Sequence, residues 1–305
     1  MFSIKTFVSE RRVANLLRQV RWHDSIYCPR CRAESAIRYG SYRVFQRYRC
    51  ENCDRTFNDQ TATVFEHSSV ALRKWLLDVY TYIHFNTSLR QLDVEIDLSY
   101  KTIYRRVQGF LRALDVPLPH LEGLVEIDEL YVKAGLKGRE RDQPSRSRGL
   151  STRGRGTYEK DKPPVFILAD RGTGERYVIP AKAADESTIR LLLADRHQES
   201  LTVYTDGFRA YEPLEEDDAF TREYVVHGDG EYVDEKVHVN TCESHGSLVR
   251  SWLSPHRGVS KDKLTPYLRT FHLRRRVFRK PGEEALKTIL DAVLWFTNNL
   301  RHKKV

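Results

Sequence analysis

The stretch Leu124-Val125-Glu126-Ile127-Asp128-Glu129-Leu130-Tyr131-Val132 decides how the chain is read. Its apolar and β-branched residues predict a strand, and an acidic side chain within such a strand is costly unless it reaches an edge, a partner or a metal. Leu201-Thr202-Val203-Tyr204-Thr205-Asp206 repeats the situation, ending on a second acid immediately before Gly207 and Phe208. A third acid, Glu243, lies in His238-Val239-Asn240-Thr241-Cys242-Glu243-Ser244, where a helix is expected from about Thr241 through Trp252 and Leu253. Arg250, seven residues after Glu243, falls nearly two turns away on the same side of that helix.

Working outward, residues 164–169 and 175–179 read as hairpin partners of the first strand around Asp170-Arg171-Gly172-Thr173-Gly174, and residues 184–197 read as a helix. The economical assignment for residues 120–265 is one mixed α/β domain. Two strand aspartates and a helical glutamate form an oxygen-rich set suited to magnesium or manganese, the hard ions that assist attack at a phosphodiester. His227, His238 and His245 lack the tight spacing of a zinc site, and His238 is better understood as positioning the turn before Glu243. Residues 133–162 interrupt the domain with ten Lys/Arg against four Asp/Glu and no apolar periodicity. They read as a basic surface loop whose Arg146, Arg148, Arg153 and Arg155 suit DNA phosphates.

Val116-Pro117-Leu118-Pro119 marks a boundary on the N-terminal side. Before it, residues 63–115 turn helical: Leu72, Trp75, Leu76, Val79, Tyr80 and Ile83 share one face, followed by Leu89-Arg90-Gln91-Leu92 and a helix capped by Ser99. Two short helices, a sharp turn and a basic second helix predict a helix-turn-helix, with Lys101, Arg105 and Arg106 on the exposed face.

Residues 1–62 hold Cys28-Pro29-Arg30-Cys31 and Cys50-Glu51-Asn52-Cys53, 18 residues apart. Two such turns complete a tetrahedral thiolate site for Zn²⁺, and four protein ligands leave no open position, so this zinc is structural. Between the pairs a hairpin is expected to turn at Gly40-Ser41. Cys242 is left over, which with the tight pairs favours metal ligation over a disulfide framework. Beyond residue 266 come a basic run with Arg274, Arg275 and Arg276 that suits DNA backbone, then an amphipathic helix whose job is packing.

With 305 residues, 40% apolar and 30% charged, the chain is expected to fold into two or three globular units. A net charge of +9 favours polyanionic partners. Neither an N-terminal signal core nor an apolar run of about 18 residues is found, so an intracellular protein without a membrane partner is expected.

Ile127-Asp128-Glu129-Leu130-Tyr131-Val132, Tyr204-Thr205-Asp206-Gly207-Phe208-Arg209-Ala210-Tyr211 and the block from His238 to Ser244 resemble, in order, the catalytic blocks of bacterial and archaeal insertion-sequence transposases of the DDE type. The subgroup resembled carries a zinc ribbon before a ribonuclease-H-like domain, and the resemblance covers most of the chain. It implies Asp128, Asp206 and Glu243 as metal-binding catalytic acids. It also implies Arg250 where relatives often place a DNA-contacting lysine, and Asn240 as a further ligand or positioning residue. Binding of double-stranded DNA, both transposon ends and target, by a homodimer or larger assembly follows from it, in a cytoplasmic, nucleoid-associated setting. The competing readings are a ribonuclease-H-like nuclease without strand transfer and a non-catalytic zinc-containing regulator.

Overall fold

Helix α1 (Glu10–Arg21) opens the computed structural model, which describes residues 9–114, 120–135, 156, 158–159, 161–194, 200–225, 237–256 and 258–299. The Ser9 hydroxyl accepts from the Arg12 backbone N–H, and Val13, Ala14, Leu16 and Leu17 form the buried face. Three antiparallel strands follow, β1 (Ala36–Tyr42), β2 (Phe45–Cys50) and β3 (Thr56–Asn58), in that spatial order. The hairpin does not turn at Gly40-Ser41 as expected: Tyr42 pairs with Phe45, so Arg43-Val44 make the turn, with Arg43 at φ +55°. Gly40, at φ +78°, instead sits in the register shift between Arg38 and Ser41. The glycine serves a bulge, and the turn takes its left-handed residue from elsewhere.

Asp59, completely buried, joins α1 to these strands. Its carboxylate accepts from Arg18 Nε (3.1 Å) and a terminal Arg18 nitrogen (2.9 Å), Trp22 Nε1 (3.1 Å), the Gln46 N–H (2.9 Å) and the Tyr48 hydroxyl (3.3 Å). That many donors satisfy a charge that would otherwise be prohibitive to bury.

Helices α2 (Leu72–Phe85), α3 (Leu89–Ile96) and α4 (Tyr100–Ala113) come next. Ser88 and Gln91 form a reciprocal capping box at α3, Asp97 turns the chain at φ +54°, and Ser99 caps α4 as expected. Leu92, Ile103, Val107 and Phe110 are buried, leaving Lys101 and Arg105 exposed on α4. Arg106 departs from the expected exposed face. It is buried and contacts Asp78 of α2 at 2.5 Å. Burial pushes the Asp78 carboxyl up to about 7 even with that guanidinium beside it. The helical period places residue 106 beside Val107, at the border of the apolar stripe, where a long side chain can reach an internal acid.

The α/β unit is built on β4 (Leu124–Tyr131), the short β5 (Ala134–Gly135), β6 (Pro164–Asp170), β7 (Arg176–Pro180), α5 (Glu186–Leu193), β8 (Leu201–Asp206) and β9 (Phe220–Val225). Its five-stranded sheet has the order β7-β6-β4-β8-β9, with β6 antiparallel to β4 and β7, and β8 parallel to both β4 and β9. Every residue of β6 is buried, as a strand covered on both faces requires. Val125, Ile127, Phe166, Leu168, Ile189 and Val203 form the core of one face. Helix α6 (Asn240–Leu253) packs on the other, and β10 (Val259–Ser260) pairs in parallel with β5. This is the ribonuclease-H-like α/β arrangement that the resemblance implied.

The last helices are α7 (Leu264–Val277) and α8 (Gly282–Asn299), with Ala285, Leu286, Ile289, Leu290 and Val293 buried on α8. Arg274, expected on a DNA-facing surface, donates to the Ile83 carbonyl at 2.7 Å and to the His84 carbonyl, which closes the end of α2. Arg275 and Arg276 are exposed. Internal contacts divide the chain into two units, Met1–Val116 with Arg269–Val305, and Pro117–Leu268. Arg146, Arg148, Arg153 and Arg155 lie outside the described residues.

Replacing Arg106 by Ala strands a buried carboxylate, so chemical denaturation should show a loss on the order of 3 kcal/mol. Arg105→Ala should stay within about 0.5 kcal/mol of wild type. Equal stabilities for the two variants would refute the buried placement of Arg106.

Candidate active site and metal centres

The two cysteine pairs adopt the same local turn. Arg32 N–H donates to the Cys28 carbonyl at 2.9 Å and Asp54 N–H to that of Cys50 at 3.0 Å. Both residues, each directly after the second cysteine of its pair, lie in the left-handed region at φ +65° and +57°. The turns bring Cys28, Cys31, Cys50 and Cys53 together, with their sulfurs within 4.8 Å of one another. Cys28 and Cys53 Sγ stand 3.6 Å apart, and Cys31 and Cys50 Sγ 3.5 Å. A tetrahedral zinc with bonds of about 2.3 Å needs sulfurs about 3.8 Å apart, so the four thiols form a Cys₄ zinc-ribbon site. No position is left for substrate.

The acidic site grows from the pairing of β4 with β8. Glu126 pairs with Tyr204, and Asp128 and Asp206 each lie two residues further along these neighbouring parallel strands. The carboxylates of Asp128, Asp206 and Glu129 offer oxygens within 4.8 Å of one another. An Asx turn fixes Asp206, whose carboxylate accepts from the Phe208 N–H at 3.0 Å. Partial burial, then the charges of Asp206 and Glu243, push the Asp128 carboxyl up to about 6, and Arg250 acts in the opposite direction. Glu243 and Arg250, both exposed on α6, are therefore within electrostatic reach of Asp128, although Glu243 is not in the 4.8 Å cluster. Crowded oxygens with so little countercharge suit a hard divalent cation.

Glu129 escaped the sequence reading. Strand alternation assigns it to the face opposite Asp128, yet it joins the cluster and accepts a 3.0 Å hydrogen bond from the Tyr211 hydroxyl. Burial, then the charge of Glu129, pushes the Tyr211 phenol well above its ordinary range, so it remains a donor. Tyr211 belongs to the same sequence block as Asp206, which was the available signal. Asn240 occupies the exposed first position of α6, where no hydrogen bond among the described residues ties it to the acids.

Two small residues let α6 lie close against the sheet. A β-carbon on Gly246 would stand 3.3 Å from both Ile167 Cδ1 and Leu130 Cδ2. Cys242, the leftover cysteine, is completely buried, with Sγ 3.4 Å from the Glu126 carbonyl and 3.5 Å from that of Ile167. Burial pushes its thiol well above the ordinary range, so it stays protonated and donates to these carbonyls. At the head of the helix, Glu126 accepts from the backbone N–H groups of Thr241 and Cys242, and Arg171 bonds both Glu126 and His238. The turn before Glu243 is thus held through His238, as expected.

Comparison with known proteins identifies the class. Residues 120–275 match the ISXO2-like transposase domain, and residues 8–56 match a transposase zinc-ribbon domain. The chain is 82% identical over 294 residues to an uncharacterized protein in transposable element ISH50 of Halobacterium salinarum, covering 96% of this chain and all of that one. Solved structures with distant likeness include a simian T-cell lymphotropic virus intasome (12% identity, TM-score 0.31, 67% of this chain and 73% of that one). Another is a pre-cleavage Mos1 transpososome (11% identity, TM-score 0.28, 75% and 78%). The fold and its acidic centre are those of a DDE-type transposase, a metal-dependent enzyme of DNA recombination. Within that class the chain belongs to the ISXO2-like insertion-sequence transposases with an N-terminal zinc ribbon.

The crowding of acids predicts a stability effect. A carboxyl whose pKa is raised on folding destabilises the folded chain above that pKa, and the penalty disappears once it is protonated in both states. Asp128→Asn should therefore stabilise the zinc-loaded chain without added magnesium by about 1–3 kcal/mol at pH 7, and by almost nothing near pH 4. Thermal melts at the two pH values test this, and no gain at pH 7 would contradict the repulsion. Gly246→Ala should crowd Ile167 Cδ1 and Leu130 Cδ2 under α6 and lower the magnesium-dependent reaction, while zinc content stays unchanged. Wild-type turnover in that variant would show that the close approach is dispensable.

Proposed function

We propose that Asp128, Asp206 and Glu243 are the carboxylates that hold magnesium or manganese for cleavage at terminal inverted repeats and transfer of the resulting 3′ hydroxyl into target DNA. The observation that supports this reading is the convergence of Asp128 and Asp206 from adjacent parallel strands, with Glu243 on α6 near enough for its charge to raise the Asp128 carboxyl. Divalent ions bound there supply the Lewis acidity that activates a water or a 3′ hydroxyl and stabilises the leaving oxygen. The protein's part is placement. The strands fix two ligands, the helix brings the third, and Tyr211 orients Glu129 beside them. Arg250 contacts the phosphate next to the scissile bond, with the wider donor fork of a guanidinium where relatives carry lysine. Asn240 acts at the mouth of the site as a positioning residue.

DNA is held by surfaces remote from the chemistry in sequence. The exposed Lys101 and Arg105 on α4 enter or flank a groove, the ribbon contributes to end recognition, and Arg275 and Arg276 contact backbone. Arg146, Arg148, Arg153 and Arg155 follow phosphates without reading bases. Because two ends must meet, a homodimer or larger assembly forms on double-stranded DNA. The proposed setting is the nucleoid in the cytoplasm; among the described residues no helix is long and apolar enough to cross a membrane.

Supplying the zinc-loaded chain with paired terminal-repeat DNA and magnesium, and scoring both cleavage and joined product, tests the reading. Asp128→Asn, Asp206→Asn and Glu243→Gln should each abolish joining while leaving DNA binding in place. Wild-type joining by any one of them removes that residue from the set. Cleavage with no joined product in the unaltered protein indicates a nuclease, and binding alone a regulator.

A further inference from the structure

The first turn of α6 lacks a cap of its own. Its N-cap residue is Val239, which has no side-chain oxygen to offer the free N–H groups that open every helix. A carboxylate from a different element takes that place. Glu126, completely buried on β4, accepts from Thr241 N–H at 2.9 Å, Thr241 Oγ1 at 2.7 Å and Cys242 N–H at 3.2 Å. These two amides are the ones an ordinary N-cap side chain would satisfy. The charge is balanced by Arg171, whose Nε donates to Glu126 at 2.6 Å while another nitrogen donates to the His238 carbonyl at 3.0 Å. The Arg171 guanidinium lies over the Tyr204 ring, 4.9 Å from its centroid. Three elements therefore meet at one carboxylate: strand β4, the turn after β6, and the head of α6.

We propose that Glu126 is a positioning residue that clamps α6 to β4 and so sets the distance from Glu243 to Asp128. Glu126 and Asp128 share one face of the strand, about 7 Å apart along it. Thr241 and Glu243 are two positions apart on the helix, about 3 Å along its axis. The clamp therefore lies within one residue pair of each proposed ligand and uses none of the oxygens that would face the metal. Of the contacts that dock α6, Cys242 and Gly246 set how near the helix lies to the sheet, whereas Glu126 fixes where along the strand its first turn begins. This inference rests on Glu243 being a metal ligand.

The test uses full-length, zinc-loaded protein and Mn²⁺ as the probe, with occupancy of the acidic site followed by electron paramagnetic resonance and joining measured across Mn²⁺ concentrations. Glu126→Gln keeps the shape but removes the charge, and its NH2 must face either the two backbone N–H donors or the Nε of Arg171. Thr241→Val removes one hydroxyl at the edge of the clamp, and Thr241→Ser retains it. Glu126→Gln should raise the half-saturating Mn²⁺ concentration about 10–100-fold, the usual consequence of losing a residue that orients a ligand. Thr241→Val should raise it by a smaller factor, Thr241→Ser should restore it, and joining should recover in both weakened variants at saturating Mn²⁺. Amide exchange at Thr241 and Cys242 should accelerate in parallel. If Glu126→Gln does not fold, Thr241→Val against Thr241→Ser decides the matter. Wild-type Mn²⁺ dependence in Thr241→Val and in folded Glu126→Gln, alongside a large rise in Glu243→Gln, overturns the clamp alone. An unchanged Mn²⁺ affinity in Glu243→Gln overturns the ligand reading and the clamp with it.

Discussion

Carboxylates gathered in a half-buried site repel one another, and a fold that keeps them there must be held by something other than their own interactions. Here the restraint is the backbone ladder between β4 and β8. Asp128 and Asp206 sit just beyond its last pair, on strands stabilised by an apolar core to which neither contributes. The hydrophobic packing of Val125, Ile127, Phe166 and Val203 thus supports a concentration of negative charge that the side chains would disperse if they were free. Such preorganisation spares the reaction the cost of assembling its ligands when DNA arrives.

The two metal centres divide the work by ligand chemistry. Sulfur ligands at the ribbon close a tetrahedron and leave the ion nothing to do but hold the chain. Oxygen ligands at the end of β4 and β8 suit a hard divalent ion, which would keep coordination positions for substrate. Each type of site needs its own backbone device. The cysteines come from tight turns with left-handed exits at Arg32 and Asp54, and Asp128, Glu129 and Asp206 from the ends of rigid neighbouring strands.

Patterns that depend on local spacing were legible in the sequence. The cysteine turns, the strand around Asp128, the hairpin after it, the Ser99 cap and the packing face of the last helix are dictated by neighbours within a few residues. What could not be read was long-range partnership. Arg106 and Arg274 look like surface charges until an acid on α2 and the open carbonyls at its end are brought to them. Glu126 and Glu129 look like ordinary strand acids until Thr241 and Tyr211 arrive from far along the chain. Gly40-Ser41 carries turn chemistry, but a bulge uses the same backbone freedom, and spacing alone does not separate the two.

Asp59 ties α1 to the ribbon strands, and its anchorage has a thermodynamic corollary. Helix α1 contains no zinc ligand, yet Arg18 hydrogen-bonds the carboxylate that Trp22, Gln46 and Tyr48 also share, and Tyr48 and Trp22 pack in the same cluster as Cys28 and Cys50. Ion uptake and helix docking are consequently linked equilibria. The apparent affinity of the ribbon for its ion includes the free energy of seating a segment that never touches it.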